Sequence, residues 1–462
     1  MKKPLIIFSL LFLPFFSVGQ ENDSTYLALT EYLELVKKYH PVVKQAQLLT
    51  EEGESTLLKA RGGFDPKLEA GYDRKDYKST EYYDLLNASF KIPTWYGIEI
   101  KAKFEDNQGV YLNPQNTVPD NGLFAAGISI PVGQGLFIND RMAALKQAKM
   151  YREQTEAERQ LAVNEILYNA SITYFEWFTS YKELKIYQSF IENAKRRYGG
   201  ILKSHKAGDK PAIDTLEANI QIQDRLLSLE QASLEFYKSS LKLGTYLWAE
   251  DNTPLEIQDD VYPENSLSPD MGNYVNIMDE GFMVNHPKIR SLEYKIEILE
   301  VEKRLKANKL LPKLNLEYNF LSSEPEIINS FVNDNYKFGF NFSIPLFLRK
   351  ERGDLQLSKL KLETAEYDIV NQRLELRNKI LSLERELSSY KDQLKMVEEL
   401  VESYFRMLKA EERKLELGES SVFLVNSREK NLISVKLKQI SLKLKLLNTR
   451  AKLFLVLAKF DA

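Results

Sequence analysis

The residues best suited to chemistry in this sequence are three histidines, and they are dispersed along its 462 residues. Histidine is a frequent general acid–base group and metal ligand, but either role needs partners at a defined spacing. His205 stands apart from the other two, whereas His40 and His286 each precede a proline. That shared position favours a structural turn over catalysis.

Other residue types supply no catalytic or cofactor motif. The segment Gly133-Gln134-Gly135 lacks both the lysine and the spacing of a phosphate-binding loop. Carboxylates are abundant but scattered, and no nucleophile–base pair or metal-ligand spacing is found. The absence of cysteine excludes disulfides, thiol catalysis, cysteine-ligated zinc and a lipid-modified N-terminal cysteine. We therefore predict no enzyme activity, no metal and no cofactor.

The N-terminal residues 1–20 have the pattern of a secretory signal peptide. Lys2 and Lys3 precede the apolar run Leu5–Phe16, and Ser17–Gln20 offers small residues for cleavage. A membrane anchor is the alternative, but the run is too short to span a bilayer. The remaining chain has no run of about 18 apolar residues, so we expect either an exported soluble protein or a β-barrel. The formal net charge of −3 predicts no nucleic-acid partner.

The chain contains an internal repeat, which three ordered pairs of motifs reveal. His-Pro recurs at positions 40 and 286, Ser-Ile-Pro at 129 and 343, and a glycine motif at 208 and 418. The offset falls from 246 to 214 between the first two pairs. This fall predicts an insertion of about 32 residues in the first half, between its two alternating segments.

Each half contains a long stretch without glycine or proline, between Gly135 and Gly199 and between Gly353 and Gly418. As a helix, each stretch would be roughly 95 Å long. Ala212–Leu243 and Glu419–Ala462 can pair back on these helices, with hairpin tips at residues 199–208 and near 418. Apolar residues in the second stretch follow a heptad, which indicates coiled packing, although a buried helix face or a rod-like coiled coil stays possible. They are Leu376, Ile380, Leu383, Leu387, Tyr390, Leu394, Val397, Val401, Tyr404 and Leu408.

Alternating apolar and polar residues predict strands before each long helix. Runs begin at Lys313 and Tyr336 in the second half, and at Lys67 and Phe124 in the first. A soluble sandwich also alternates, but the length of about nine residues and the aromatic content fit a lipid-facing barrel strand. Two further runs, Leu86–Ile92 and Tyr96–Phe104, fill most of the insertion.

A proline stands at each predicted change between helix and strand, because it is disfavoured inside either element. These junction residues are Pro66, Pro131, Pro312 and Pro345. The strands of one chain are too few to close a barrel in lipid without leaving strand edges unpaired. We therefore expect several copies of the chain to associate.

The duplication, the strand-proline-helix junctions and the tip segments AGDKPAIDTLEANIQ and LGESSVFLVNSREKNL resemble the TolC-like outer-membrane efflux family. The resemblance covers the chain from about Tyr26 to its end. It implies a mixed fold of transmembrane β and α structure: a homotrimeric 12-stranded barrel, four strands per chain, continued by a periplasmic tunnel of twelve helices.

The same resemblance implies a passive exit duct for drugs or secreted proteins, located in the outer membrane of a Gram-negative bacterium. Its partners would be outer-membrane lipid, a periplasmic adaptor and an inner-membrane transporter of RND or ABC type. An exported coiled-coil interaction protein without channel activity is the alternative interpretation.

The family's tip residues are only partly matched. The resemblance implies that contacts among an aspartate, a tyrosine and an arginine at the helical tips close the tunnel. Asp214 matches the aspartate, but Leu415 and Ser420 occupy the positions of the tyrosine and the arginine. Leu424 and Ser427 occupy the positions at which the family has aspartates that narrow the tunnel. Closure of the tunnel would therefore use different residues. We expect Arg428, Glu429 or an apolar ring containing Phe423, next to the tip glycines Gly208 and Gly418.

The predicted domain boundaries follow from these patterns. Residues 1–20 form the signal peptide, and 21–250 the first repeat, with strands at about 66–131 and a helical hairpin at about 136–247. Residues 251–270 lie between the repeats, as irregular structure or a plain linker. Residues 271–462 form the second repeat, with strands at about 312–345 and a hairpin at about 353–460. The extra runs at 86–104 either form an external hairpin or enlarge the barrel, and we expect strands near the barrel.

Overall fold

The computed structural model describes residues 25–267, 280–324 and 335–460. The predicted signal peptide and residues 268–270 lie outside this part of the chain. The chain packs as two units. The first, here the helical unit, comprises residues 1–36, 170–269 and 395–444, and the second, here the sheet unit, comprises residues 37–169, 270–394 and 445–462.

Eight α-helices lie in the described residues: α1 Leu29–Tyr39, α2 Pro41–Arg61, α3 Asp140–Lys206, α4 Ala212–Gly244, α5 Glu280–Asn285, α6 Pro287–Asn308, α7 Arg349–Glu416 and α8 Val422–Val456. Among them, none combines the length and the apolarity that crossing a membrane would require. The long helices α3 and α7 contain most of the two stretches that lack proline and glycine, and they have 67 and 68 residues.

Helix α3 does not end at Gly199, where the sequence suggested the start of a glycine-rich tip. It continues through Gly199 and Gly200 to Lys206. Glycine costs about 1 kcal/mol relative to alanine inside a helix, and a helix of this length tolerates two such residues. The tip itself is therefore short and begins after Lys206.

The predicted heptad seam of α7 is buried or partly buried. In the sheet unit, Ile380 and Leu383 form a hydrophobic cluster with Leu453, near the end of α8, and with Leu457, just after it. Leu376 and Leu387 of the same seam pack against this cluster. The seam thus holds α7 and the end of the chain together.

The core of the helical unit is aromatic. Trp177 on α3 is fully buried, and its indole Nε1 donates a hydrogen bond to Ser240 Oγ on α4 at 2.9 Å. The hydroxyl of Tyr174 donates to the carbonyl of Leu27 at 2.6 Å. A short parallel pair, β1 Thr25–Leu27 and β6 Val261–Pro263, ties the segment between the repeats to the N-terminal part of this unit. That segment is therefore more than a plain linker.

The sheet unit contains one six-stranded sheet. Its remaining strands are β2 Lys67–Tyr77, β3 Thr80–Pro93, β4 Glu99–Gln108, β5 Leu123–Gly133, β7 Lys313–Ser322 and β8 Tyr336–Ser343. They lie in the order β2-β3-β4-β5-β7-β8, and every neighbouring pair is antiparallel. The sheet has six strands, whereas the resemblance implied four per chain, because the two inserted runs join it as β3 and β4. The expectation that the runs at 86–104 form strands is confirmed.

The boundaries of the inserted strands differ from the expected runs at all four ends, and the start of each strand has a local cause. β3 begins at Thr80, because Lys78 and Ser79 adopt left-handed backbone angles and close a two-residue turn after β2. β4 begins at Glu99 instead of Tyr96, because the turn before it is closed by a hydrogen bond from Thr94 N–H to the Ile98 carbonyl at 2.8 Å.

Candidate functional site

One face of the six-stranded sheet is apolar across its whole width. Leu68 on the edge strand β2 is 78% exposed, and aromatic side chains dominate β8. Directly paired residues cross all six strands in one apolar row: Leu68, Phe90, Ala102, Ala126, Phe320 and Tyr336. A second row runs through Ile92, Ile100, Ile128, Tyr318 and Phe338. We call this surface the apolar sheet face.

The opposite face carries charged and small side chains. Lys91 Nζ lies 2.5 Å from Glu69 Oε2 across β2 and β3. Lys101 Nζ on β4 lies 3.6 Å from Glu317 Oε2 on β7 and reaches across β5, where Gly127 occupies the paired position. The sheet therefore has one surface for an apolar environment and one for water.

The four junction prolines lie at or near the ends of strands. Pro66 directly precedes β2 and Pro312 directly precedes β7, while Pro345 follows β8 by two residues. Pro131 is different, because it lies inside β5 and pairs with Asn315 on β7. Proline is tolerated there because pairing of β4 with β5 extends only to Ser129.

The two helical tips have the same backbone structure. Gly208 follows α3 with φ +87°, and Gly418 follows α7 with φ +79°. After α3, Gly208 N–H donates to the His205 carbonyl and Asp209 N–H to the Ser204 carbonyl, both at 3.0 Å. Gly418 and Glu419 make the equivalent bonds after α7, at 3.2 and 2.8 Å. This is the Schellman cap, in which left-handed glycine lets the chain turn back.

The tip residues taken from the resemblance have diverse surroundings. Asp214 lies in the first turn of α4, with Oδ2 3.9 Å from Lys210 Nζ. Leu415 is partly buried and packs against a buried cluster of Ile201, Ala218 and Val422. In contrast, Phe423 at the start of α8 is 65% exposed. Leu424 is also exposed, and Ser427 is partly buried.

Ser420, at the position of the family's arginine, bonds to an acid of its own chain. Its hydroxyl donates to Glu411 Oε1 on α7 at 2.6 Å, and Arg428 Nε on α8 lies 3.5 Å from the other oxygen. The Ser420 hydroxyl and the Arg428 guanidinium hold the pKa of the Glu411 carboxyl below its usual range. The tip between α7 and α8 is thus tied by a charge-assisted pair of contacts.

A buried ion pair connects the two repeats near the tips. Arg197 Nη1 on α3 lies 2.6 Å from Glu429 Oε2 on α8, and the Glu429 side chain is buried. Arg197 Nη1 also donates to Asn426 Oδ1 at 2.9 Å, and Nη2 lies 3.6 Å from Glu412 on α7. Among the described residues, neither Glu429 oxygen accepts a hydrogen bond of ordinary geometry, so Arg197 is the countercharge of this buried carboxylate. The sequence predicted Glu429 as a candidate closure residue, but it gave no indication of its partner Arg197.

Helix α4 exposes an apolar stripe that was not predicted from the sequence. Leu227, in its centre, is 70% exposed. The signal was present in the sequence, because exposed apolar residues recur every seven positions: Ile213, Ile220, Leu227, Leu234 and Leu241. Such a heptad face packs against another helix in coiled structures. We call it the α4 stripe.

His40 and His286 are structural, as predicted. Each is the N-cap of the following helix, with Nδ1 accepting from the backbone N–H two residues later at 3.2 Å. His286 Nε2 also lies 2.9 Å from the Val456 carbonyl. Burial lowers the pKa of both imidazoles, which favours the neutral ring in these caps. Within the described residues, no group of His, Asp and Glu has the arrangement of a metal site.

A family model matches a segment within the second half of the chain. Residues 282–459 match the model of the outer membrane efflux protein family. No curated protein matches the sequence.

Solved structures of similar fold cover nearly the whole chain. The outer membrane channel CmeC of Campylobacter jejuni is 14% identical, with a TM-score of 0.68 over 99% of this chain and 94% of that one. VceC of Vibrio cholerae, an outer membrane protein, is 14% identical, with a TM-score of 0.67 over 93% and 96%. The open state of the MtrE outer membrane channel of Neisseria gonorrhoeae is 13% identical, with a TM-score of 0.68 over 93% and 88%.

These similarities agree with the duplicated strands, the long helices and the paired tips. The predicted resemblance is confirmed: residues 282–459 match the outer membrane efflux protein family model, and the described chain has the fold of the outer-membrane channels to which it is similar.

Proposed function

We propose that this protein is the passive outer-membrane exit duct of a tripartite efflux or type I secretion system. The apolar sheet face is the observation that carries this proposal. It spans six strands and is exposed in the single chain, including Leu68, Phe338 and Phe340. A contiguous apolar surface of this size needs an apolar cover, and its alternation with a charged face fits lipid outside and water inside.

Two features support a homotrimer as the functional form. The outer strands of the sheet, β2 and β8, are exposed along their full length and would leave backbone groups unpaired in lipid. The α4 stripe supports the same assembly, because its heptad spacing suits a helix of a neighbouring copy. Each chain then contributes one third of a barrel and one third of a helical tunnel.

We further propose that the helical tips close the duct and receive a periplasmic adaptor. Exposed apolar residues support a docking role, since Phe423 is 65% and Leu417 59% exposed beside the tip glycine Gly418. The Arg197–Glu429 and Arg428–Glu411 pairs would hold the tips of one chain together in the closed state. The energy for transport would come from an inner-membrane RND or ABC transporter.

Membrane fractionation with native mass spectrometry tests the proposal. We expect the protein in the outer-membrane fraction, trimeric in detergent, and we expect deletion of its gene to raise sensitivity to exported compounds or abolish secretion of a substrate. A protein found only as a detergent-free monomer in the soluble periplasmic fraction would refute the duct.

A further inference from the structure

The inserted hairpin β3–β4 lies within the sheet, between strands that belong to the repeat pattern. β3 pairs with β2 from Lys67↔Lys91 to Tyr77↔Thr80, and β4 pairs with β5 from Glu99↔Ser129 to Glu105↔Leu123. The hairpin therefore separates β2 from β5 by two strands. An external flap would instead leave β2 and β5 as neighbours.

The insertion also continues both faces of the sheet in phase. Phe90 and Ala102 of the hairpin lie in the same paired row as Leu68, Ala126 and Phe320 of the repeat strands. On the other face, Lys91 and Lys101 form ion pairs with Glu69 and Glu317, which belong to repeat strands. A one-residue slip in register would have reversed the two faces of the hairpin. The observed register instead keeps one face of the whole sheet apolar and the other polar.

We propose that three copies of this chain close an 18-stranded barrel, six strands from each, instead of the 12 strands expected from four per chain. In this arrangement β8 of one copy pairs with β2 of the next. The proposal rests on the trimeric membrane duct proposed above and defines its membrane wall.

Strand direction permits this closure. The six strands alternate in direction, so β2 and β8 run in opposite senses. Placing β8 of one copy beside β2 of the next therefore gives another antiparallel pair, as at every other position of the sheet. An odd number of strands per chain would have forced a parallel junction.

The width of six strands also agrees with the helices attached to them. Strands about 4.8 Å apart and tilted by about 40° occupy roughly 6.3 Å of circumference each, so six strands cover about 38 Å. Four helices, α2, α3, α6 and α7, adjoin these strands along the chain. Side by side, at about 8–10 Å per helix, they would cover about 32–40 Å.

A barrel diameter grows about linearly with strand number, so this pore would be about 1.5 times as wide as one of 12 strands. Barrels of 16–18 strands leave an open aqueous channel between their side chains. The membrane part would therefore admit bulkier cargo than a 12-stranded wall.

Cysteine pairs test the strand order, because the natural chain has no cysteine. Ala70→Cys with Ala88→Cys, and Ala102→Cys with Ala126→Cys, place cysteines at directly paired positions. We expect both pairs to form disulfides within one chain upon oxidation in outer membranes. Ala70→Cys combined in turn with Phe124→Cys, Ala126→Cys or Ile128→Cys should not, because three strand spacings amount to about 14 Å. Bridging of Ala70→Cys to β5 would overturn the proposal.

Electron cryomicroscopy of the unmodified trimer in lipid nanodiscs gives an answer that does not depend on variants. Eighteen strands in cross-section support the proposal, and twelve overturn it while the trimeric duct stands. A monomer in the soluble fraction would instead remove the proposed function, and the barrel with it. The two failures are therefore distinguishable.

Discussion

Arg197 and Glu429 join the first repeat to the second through a buried ion pair, with Arg197 Nη1 2.6 Å from Glu429 Oε2. The pair connects α3 with α8, and Arg197 also contacts Glu412 on α7. One guanidinium therefore holds three helices near the tips.

Removing one member of this pair should be costly. Arg197→Met leaves the Glu429 carboxylate buried without its countercharge, which typically costs about 3–5 kcal/mol. We expect faster amide hydrogen exchange in α8, measured by mass spectrometry on the purified trimer. The double variant R197M/E429L should recover most of the protection, since an apolar pair often replaces a buried ion pair without loss.

The matched control is the exposed pair of Arg373 and Glu293, with Arg373 Nη2 2.7 Å from Glu293 Oε1. Arg373→Met should change stability by less than about 1 kcal/mol, because solvent screens exposed charges. An equal effect of both arginine substitutions would contradict the assignment of a buried, structural pair at the tips.

The two kinds of glycine should respond to alanine in opposite directions. Gly418→Ala forces an L-residue into a left-handed conformation with φ +79°, at a cost of about 1–2 kcal/mol. Gly199 lies inside α3 with open space around it, so Gly199→Ala should stabilise the helix by about 0.5–1 kcal/mol. Hydrogen exchange of the peptides that contain each site measures both changes. Effects of the same sign would argue against the described cap.

Gly127 should be required for the sheet. A Cβ at this position would lie 2.1 Å from the Tyr318 carbonyl oxygen on β7, too close without a shift of the backbone. We expect Gly127→Ala to lower the yield of heat-resistant trimer on gels several-fold. Gly71→Ala on β2 is the control, because a Cβ there meets nothing within 4 Å. A normal trimer yield from Gly127→Ala would show that β5 and β7 are not paired as described.

Acid should weaken the cap formed by His286. Burial lowers its pKa in the folded chain, so the unfolded state binds the proton more readily. The contribution of the neutral ring is complete above the ordinary histidine pKa of about 6.5, and it is lost as pH falls from there towards the lowered folded pKa. We expect the α6 N-terminus and the end of α8 to exchange faster at pH 5.5 than at pH 7.5, after correction for intrinsic rates. His286→Asn, which keeps a capping side chain, should remove this dependence.

The α4 stripe should matter only in the assembled protein. Leu227→Asp places a charge in a heptad position, whereas Leu227→Met keeps the volume and the apolar character. We expect the aspartate variant to make α4 at least about tenfold more sensitive to limited proteolysis in the purified trimer, since burial of a leucine is worth about 1.5–3 kcal/mol. If Leu227→Met and Leu227→Asp behave alike, the stripe does not pack between copies.

Local patterns predicted most elements, because they depend on residues close in sequence. The absence of glycine and proline predicted α3 and α7, and alternation predicted the strands around Phe320 and Phe340. The boundaries failed where longer-range packing decides. Helix α3 continues past Gly199, and Ile201 in this added part packs against Ala218 and Val422.

Contacts between distant residues could not be predicted from the sequence. Arg197 and Glu429 are 232 positions apart, and no local pattern pairs one arginine with one of many acids. Whether the inserted runs would join the sheet was equally open, because alternation gives the faces of a strand but not its neighbours. The α4 stripe, in contrast, was visible as a seven-residue period and was overlooked.

The hairpin between β2 and β5 has an evolutionary consequence. The two inserted strands add an even number to the sheet, so β2 and β8 still run in opposite directions. In the proposed trimer, threefold symmetry would repeat the insertion, and one change in the gene would widen the wall by six strands at once. Lineages of such ducts would then differ in bore by discrete steps, while the machinery that engages their inner ends stays the same.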